Sequence, residues 1–223
     1  MTESTVFVID DDPAVRKSLD MLLRAVGLPA RTFARAEEFL EQYGDGQPGC
    51  LVLDVRMPGI SGPELQRMLN ERGVAIPVIF VTGHGDVPIA VRAMKDGAID
   101  FIEKPFSKQL LVEHIRKALA LDERRRSASA LQTSIEARLA ALSSREREVM
   151  ALVVAGKLSK EIAAALGISK KTVDVHRAHV MHKLNVASVA ELVDLALRAR
   201  QPAPARAHPV SSVPAVAASR LET

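Results

Sequence analysis

The stretch Cys50-Leu-Val-Leu-Asp-Val-Arg-Met-Pro58 decides the fold. An unbroken apolar run leads straight into a carboxylate and then into a proline-ended turn. Such a run, rather than an alternating one, is how a strand reads when a parallel sheet covers both its faces. Thr5–Ile9 reads the same way and ends at Asp10 and Asp11; Val78–Val81 does so and ends at Thr82. The shorter Asp100–Glu103 runs into Lys104, and Ala30–Phe33 completes a set of strands with Cys50–Asp54 and Val78–Thr82. Helical patterns separate them at Pro13–Ala25, Arg35–Gln42, Gly62–Glu71, Asp86–Lys95 and Lys108–Leu121. Regular β/α alternation predicts an α/β fold with a five-stranded, doubly wound parallel sheet. The punctuation agrees. Val15, Leu19, Leu22 and Leu23 form one helical stripe, Ser61-Gly-Pro-Glu64 is a capping box, and Gly27, Gly73 and Gly97 stand where helices should stop.

In an open parallel sheet the carboxyl ends of the strands meet at one edge, and ligands bind there. Asp10, Asp11, Asp54, Thr82 and Lys104 all sit at such ends, so three carboxylates, a hydroxyl and an ammonium converge. Mg²⁺ prefers oxygen ligands and takes one or two carboxylates together with phosphate oxygens. Asp10, Asp11 and Asp54 would hold it. A carboxylate can also act as nucleophile and form an acyl phosphate, and Asp54, ending the central buried run, is best placed for that. Lys104 would pair with a phosphoryl oxygen, and Thr82 would donate a hydrogen bond to one.

Charge is divided unevenly. Residues 1–121 carry 14 Lys and Arg against 17 Asp and Glu; residues 122–223 carry 16 against 10. An acidic half followed by a basic half suggests that only the second meets a polyanion. Aromatics make up 3% and Trp is absent, which disfavours base stacking as the mode of contact. The single cysteine, Cys50, rules out an intrachain disulfide and is expected to pack as a small hydrophobe. The N-terminus lacks a basic, signal-like segment, and no run approaches the roughly 20 apolar residues of a membrane span. A cytoplasmic protein without membrane contact is expected.

The chain divides on this reading into 1–121, a charged helical linker 122–137, an all-helical block 138–200 and a Pro/Ala/Ser-rich tail 201–223 expected to be disordered. The block contains helical patterns at Ser143–Ala155, Ser159–Leu166, Lys170–Leu184 and Val189–Arg200, with capping boxes at Ser143-x-x-Glu146 and Ser188-x-x-Glu191. A short helix, the turn Gly167-Ile-Ser169 and a basic following helix describe a helix-turn-helix. Ile162, Ala163, Leu166, Ile168 and Val173 would form its packed angle. Lys170, Lys171, His176, Arg177, His179 and Lys183 would form a basic outer face directed at DNA phosphates.

The first block resembles a response-regulator receiver domain of the flavodoxin-like, CheY-like kind. The resemblance rests on Asp10-Asp11, Asp54-Val-Arg-Met-Pro58, Thr82-Gly83 and Lys104-Pro105-Phe106. The runs Thr82–Pro88 and Asp100–Phe106 are similar to the FixJ subfamily. Residues 138–200 resemble the LuxR-type helix-turn-helix through Leu142–Val149, Gly156, Lys160–Ala163, Leu166–Ser169, Thr172-Val173, His176 and Lys183-Leu184. The order of the blocks matches a FixJ/NarL-type response regulator. That resemblance implies phosphorylation of Asp54 by a partner histidine kinase. It implies Mg²⁺ ligation by Asp11, Asp54, the backbone carbonyl of Arg56 and, partly through water, Asp10. It implies a cis Lys104–Pro105 peptide, a switch coupling Thr82 to Phe101, and dimerisation through the Asp86–Lys95 and Asp100–Glu103 face. Arg56 and His84 would line the approach of hydrolytic water. Lys170–Leu184 becomes the recognition helix, with Asp174, Val175 and Ala178 facing base edges and Lys171, Thr172, His176 and Arg177 flanking them. Asp174 would accept from a cytosine amino group or repel phosphates. The partners implied are double-stranded DNA, a second copy of the chain and RNA polymerase, with activation as the family habit.

Two other functions compete. A Mg²⁺-dependent phosphohydrolase with an aspartyl nucleophile would carry a second Asp two positions after it, where Arg56 stands. A helical half that docks only proteins would not call for the basic balance of that half. Neither a turnover enzyme nor a purely protein-docking output is therefore expected.

Overall fold

The computed structural model describes residues 4–44, 46–83 and 87–200. The chain divides into two compact units, one ending at Arg124 and one beginning at Arg125. The first contains β1 (Thr5–Ile9), α1 (Pro13–Ala25), β2 (Ala30–Phe33), α2 (Ala36–Gln42), β3 (Gly49–Asp54), α3 (Gly62–Glu71), β4 (Val78–Thr82), α4 (Val87–Lys95), β5 (Asp100–Glu103) and the start of α5 (Lys108–Ala140). All pairings are parallel and the sheet order is β2-β1-β3-β4-β5. The chain winds outward in one direction from β1 to β2 and in the other from β3 to β5. The crevice left at that reversal lies beyond the ends of β1 and β3.

Side chains alternate across each strand, and the two faces bury different helices. Phe7, Ile9, Leu51, Leu53 and Phe80 point to the face covered by α2, α3 and α4. Val6, Val8, Cys50, Val52, Ile79 and Val81 point to the face covered by α1 and α5. Phe7, Phe33, Phe39 and Tyr43 pack ring against ring on the first face, with centroids 4.9–5.6 Å apart. At the far end of β3 the buried Asp122 of α5 accepts a hydrogen bond from the Gly49 amide at 3.0 Å. Burial, reinforced by the Asp122 charge, pushes the Cys50 thiol well above its ordinary range, so it is an inert core residue.

In the first unit the sequence expectations hold closely for the elements, with three differences. β3 begins at Gly49, because a glycine there lets the strand lie against β1: a Cβ at Gly49 would fall 2.0 Å from the Thr5 carbonyl oxygen. Arg35 caps α2 rather than beginning it. α5 does not stop near Leu121 but continues to Ala140. Its apolar stripe fades there, yet no glycine or proline interrupts 106–140 and Ala, Arg, Glu, Gln and Ser all tolerate a helix. The expected start of α4 at Asp86, the loop residue His84 and the tail 201–223 fall outside the described residues.

In the second unit the last turns of α5 join α6 (Ser144–Val154), α7 (Ser159–Leu166), α8 (Lys170–Leu184) and α9 (Val189–Arg200). Ile135, Leu142, Val149, Ile162, Val173, Val180, Leu184 and Leu192 form their shared core. Ser143 and Glu146 make the reciprocal capping box that opens α6, at 2.8 and 3.2 Å. At α9 the box is shifted: the Glu191 amide donates to Ser188 Oγ, but the Glu191 carboxylate accepts from the Ala187 amide rather than from that of Ser188. Gly167, at φ +65°, supplies the left-handed residue that ends α7 and turns the chain into α8.

Candidate functional site

The sheet edge brings the five expected side chains together. Asp10 and Asp54 are buried at the ends of β1 and β3, and Thr82 is buried at the end of β4. Lys104 follows β5, and its Nζ lies 2.7 Å from Asp10 Oδ2 and 3.7 Å from Asp54 Oδ1. Asp11 is exposed, and one carboxylate oxygen from each of Asp10, Asp11 and Asp54 lies within 4.8 Å of the others. Burial holds the Asp54 carboxyl above the ordinary carboxylate range. Lys104 pulls the other way, the Val55 amide helps it, and the Asp10 and Asp11 charges add to the rise. Three acidic groups packed this closely against one ammonium leave negative charge uncompensated. A hard dication with oxygen ligands would neutralise it, so the donor set fits Mg²⁺.

Neighbouring groups hold this constellation in place. The Arg16 guanidinium donates to the backbone carbonyls of Asp10 and Asp11, at 2.7 and 2.9 Å, and so clamps the acidic loop. Asp12 caps α1 by accepting from the Ala14 amide. Gly62 touches the back of the pocket: a Cβ there would lie 2.2 Å from the Asp54 carbonyl oxygen and 3.0 Å from the Phe80 ring. Glu37 Oε1 accepts from the Ile60 amide and fixes the loop after β3. None of these was read from the sequence as part of the site. Arg16 carried a signal, since it lies on the first turn of the helix after the acidic pair; the Gly62 and Glu37 contacts join distant segments and carried none. The Lys104–Pro105 peptide is cis. Arg56 is exposed. Phe101 is half-buried, its ring 6.2 Å from that of the fully buried Phe80.

Helix α8 shows the second constellation. Ser169 caps it, accepting from the Thr172 amide at 3.1 Å. Lys170, Lys171, Thr172, Asp174, Val175, Ala178 and His179 are exposed. The basic outer face is narrower than the sequence suggested. His176 and Arg177 are half-buried, and Arg177 donates to Ser159 Oγ of α7 at 3.3 Å. Lys183 Nζ pairs at 2.7 Å with the buried Glu146, and His179 approaches the same carboxylate at 3.8 Å. The Lys183 hydrogen bond and the Ser143 amide hold Glu146 down at about 2. Lys183 thus ties α8 to α6, a pairing across 37 positions that no local pattern could reveal.

Comparison with known proteins finds the model of the response regulator receiver domain over residues 6–116 and that of bacterial regulatory proteins of the luxR family over 140–196. Transcriptional regulatory protein FixJ of Azorhizobium caulinodans is 48% identical over 87% of this chain and 92% of its own. Nodulation protein W of Bradyrhizobium diazoefficiens is 44% identical over 86% and 85%. This chain is a response regulator of the FixJ/NarL family. Among solved structures, response regulator StyR superposes with a TM-score of 0.84 at 48% identity, covering 88% of this chain and 99% of that one. Full-length FixJ from B. japonicum does so at 0.56 and 44%, covering 89% and 98%. The first unit of this response regulator is its receiver domain; the second is its LuxR-type DNA-binding domain. The protein is a DNA-binding transcriptional regulator. Among the described residues, no helix is long and apolar enough to cross a membrane.

Proposed function

We propose that a partner histidine kinase switches this response regulator by phosphorylating Asp54, and that the phosphorylated chain dimerises through its receiver and engages paired DNA half-sites as an activator that contacts RNA polymerase. The observation that carries this reading is the position of Lys104 Nζ, between the buried Asp10 and Asp54 carboxylates at the open edge of the sheet. An Asp54 carboxylate oxygen attacks the phosphorus of a phosphohistidine; the new P–O bond forms as the P–N bond breaks, and the imidazole leaves. Mg²⁺ held by Asp11, Asp54 and the Arg56 backbone carbonyl, with Asp10 through water, would supply charge neutralisation at the phosphoryl oxygens. Lys104 turns its ammonium from Asp10 to a phosphoryl oxygen, and the Thr82 hydroxyl donates to another.

The response spreads along the sheet. Inward movement of Thr82 opens space behind it, and the half-buried Phe101 ring on β5 rotates into that space. The face of α4 and β5 then changes, and the exposed apolar residues Val87 and Val91 on α4 support its use as a dimer contact. In the second unit, Lys170, Lys171, Thr172 and His179 flank the exposed face of α8 at the phosphates, while Asp174, Val175 and Ala178 meet base edges. Half-buried Arg177 and His176, together with the Lys183–Glu146 pair, fix the helix that is read. Arg56 occupies the position where a phosphohydrolase needs its general acid, so Asp54 holds phosphate rather than turning it over.

Mass spectrometry of the full chain incubated with Mg²⁺ and acetyl phosphate tests the transfer. One phosphoryl group on the peptide containing Asp54, absent from Asp54→Asn, is expected. An unmodified Asp54, or phosphate on another residue, would overturn the proposal.

A further inference from the structure

We infer that Asp174 is the residue that sets base specificity, selecting cytosine at one position of each DNA half-site. This rests on the reading of α8 as the recognition helix. At about 3.6 residues per turn, Lys171, Asp174, Val175, Ala178 and His182 fall within an arc of about 100°. All five are exposed, and the arc lies opposite the buried Val173, Val180 and Leu184 that fasten the helix to its unit. This is the part of α8 that enters the major groove. It carries no arginine, and Arg177, the only arginine of the helix, is turned away to Ser159. The bidentate arginine grip on guanine is therefore missing.

Asp174 is the single carboxylate in a helix that otherwise carries Lys170, Lys171, Arg177, Lys183 and three histidines. A carboxylate brought among phosphates is repelled unless it gains a hydrogen bond there. It can only accept, and the major groove offers it two amino donors, cytosine N4 and adenine N6. The adenine amino group sits between two acceptors, N7 of the same base and O4 of the paired thymine, and both repel a carboxylate. The cytosine amino group has an acceptor on one side only, so a carboxylate can approach it from the C5 side. Lys170 Nζ, 3.8 Å from Asp174 Oδ2 and itself exposed, balances the charge in the free protein and is free to move to a phosphate on DNA. Val175 and Ala178, on the same arc, are suited to the thymine methyl and add no hydrogen bond. Asp174 thus contributes discrimination in two ways: it accepts at cytosine, and it weakens binding everywhere else.

Selection from a random duplex pool tests this, using the full phosphorylated chain and its Asp174→Ala and Asp174→Asn variants. The exposed position leaves the fold of both variants intact. The unaltered chain should enrich a site with a cytosine in each half, each other base there costing on the order of 10- to 100-fold in affinity. Asp174→Ala should lose preference at that position alone and bind unrelated duplex more tightly. Asp174→Asn should move the preference to adenine, whose N6 and N7 an amide can grip together. An unchanged cytosine in both variants, or a base other than cytosine at the position sensitive to Asp174, overturns the inference while leaving α8 as the DNA reader. Enrichment of no sequence by the unaltered chain overturns that wider reading as well.

Discussion

Asp54 and Glu146 are both buried carboxylates, and their environments push them in opposite directions. Asp54 shares its pocket with two other acids, and burial raises it from the ordinary 3.8. A carboxyl that holds its proton more tightly when folded costs the fold stability as pH rises from 3.8 through its raised folded value. Asp54→Asn should therefore raise the melting temperature of the metal-free chain at pH 7, and the gain should disappear when melts are repeated near pH 3. Glu146 is held from 4.5 down to about 2 by Lys183 and Ser143. It binds fewer protons folded than unfolded, so its stabilisation is complete above about 4.5 and is lost as pH falls toward 2. Melts from pH 6 to pH 2 should show the second unit weakening across that window, and Glu146→Gln should flatten the slope. The clustering of Asp10, Asp11, Asp54, Thr82 and Lys104 at the sheet edge was legible residue by residue because each of them ends or directly follows a strand run. The Glu146–Lys183 pair was not: the capping box announced Glu146, but only packing of α6 on α8 could show that Lys183 is paired with it.

The strands were readable as elements because both faces of the sheet are covered, which forces continuous apolar runs at β1, β3 and β4. What escaped was set by contacts between elements. The first residue of α3, Gly62, lies against the Asp54 carbonyl and the Phe80 ring, a close approach that a helix-start pattern conceals. Gly62→Ala should place a methyl group inside that contact and destabilise the receiver by about 1–3 kcal/mol. Urea unfolding measures that loss. Because the clash falls on the Asp54 backbone, phosphorylation should slow in the same variant. An alanine that left both stability and rate unchanged would mean that α3 can move away from β3 at no cost. The extension of α5 to Ala140 was open in the sequence for a different reason. A helix without an apolar stripe has composition in its favour but no periodicity to mark it.

At the scale of the molecule, an acidic receiver and a basic DNA-binding domain are joined in one chain, and only the second suits a polyanion. The account's central claim is that charge added at Asp54 alters what α8 does elsewhere. That is a coupling free energy between two sites, and such couplings commonly change affinity by about 5- to 150-fold. The most direct measurement is the equilibrium affinity of the full chain for its selected duplex at one fixed salt concentration. It is made with Mg²⁺ alone, with Mg²⁺ and acetyl phosphate, and with Asp54→Asn under both conditions. The account predicts tightening by one to two orders of magnitude on phosphorylation of the unaltered chain and none in Asp54→Asn. Equal affinities in all four conditions would contradict it and leave the receiver without control over DNA binding.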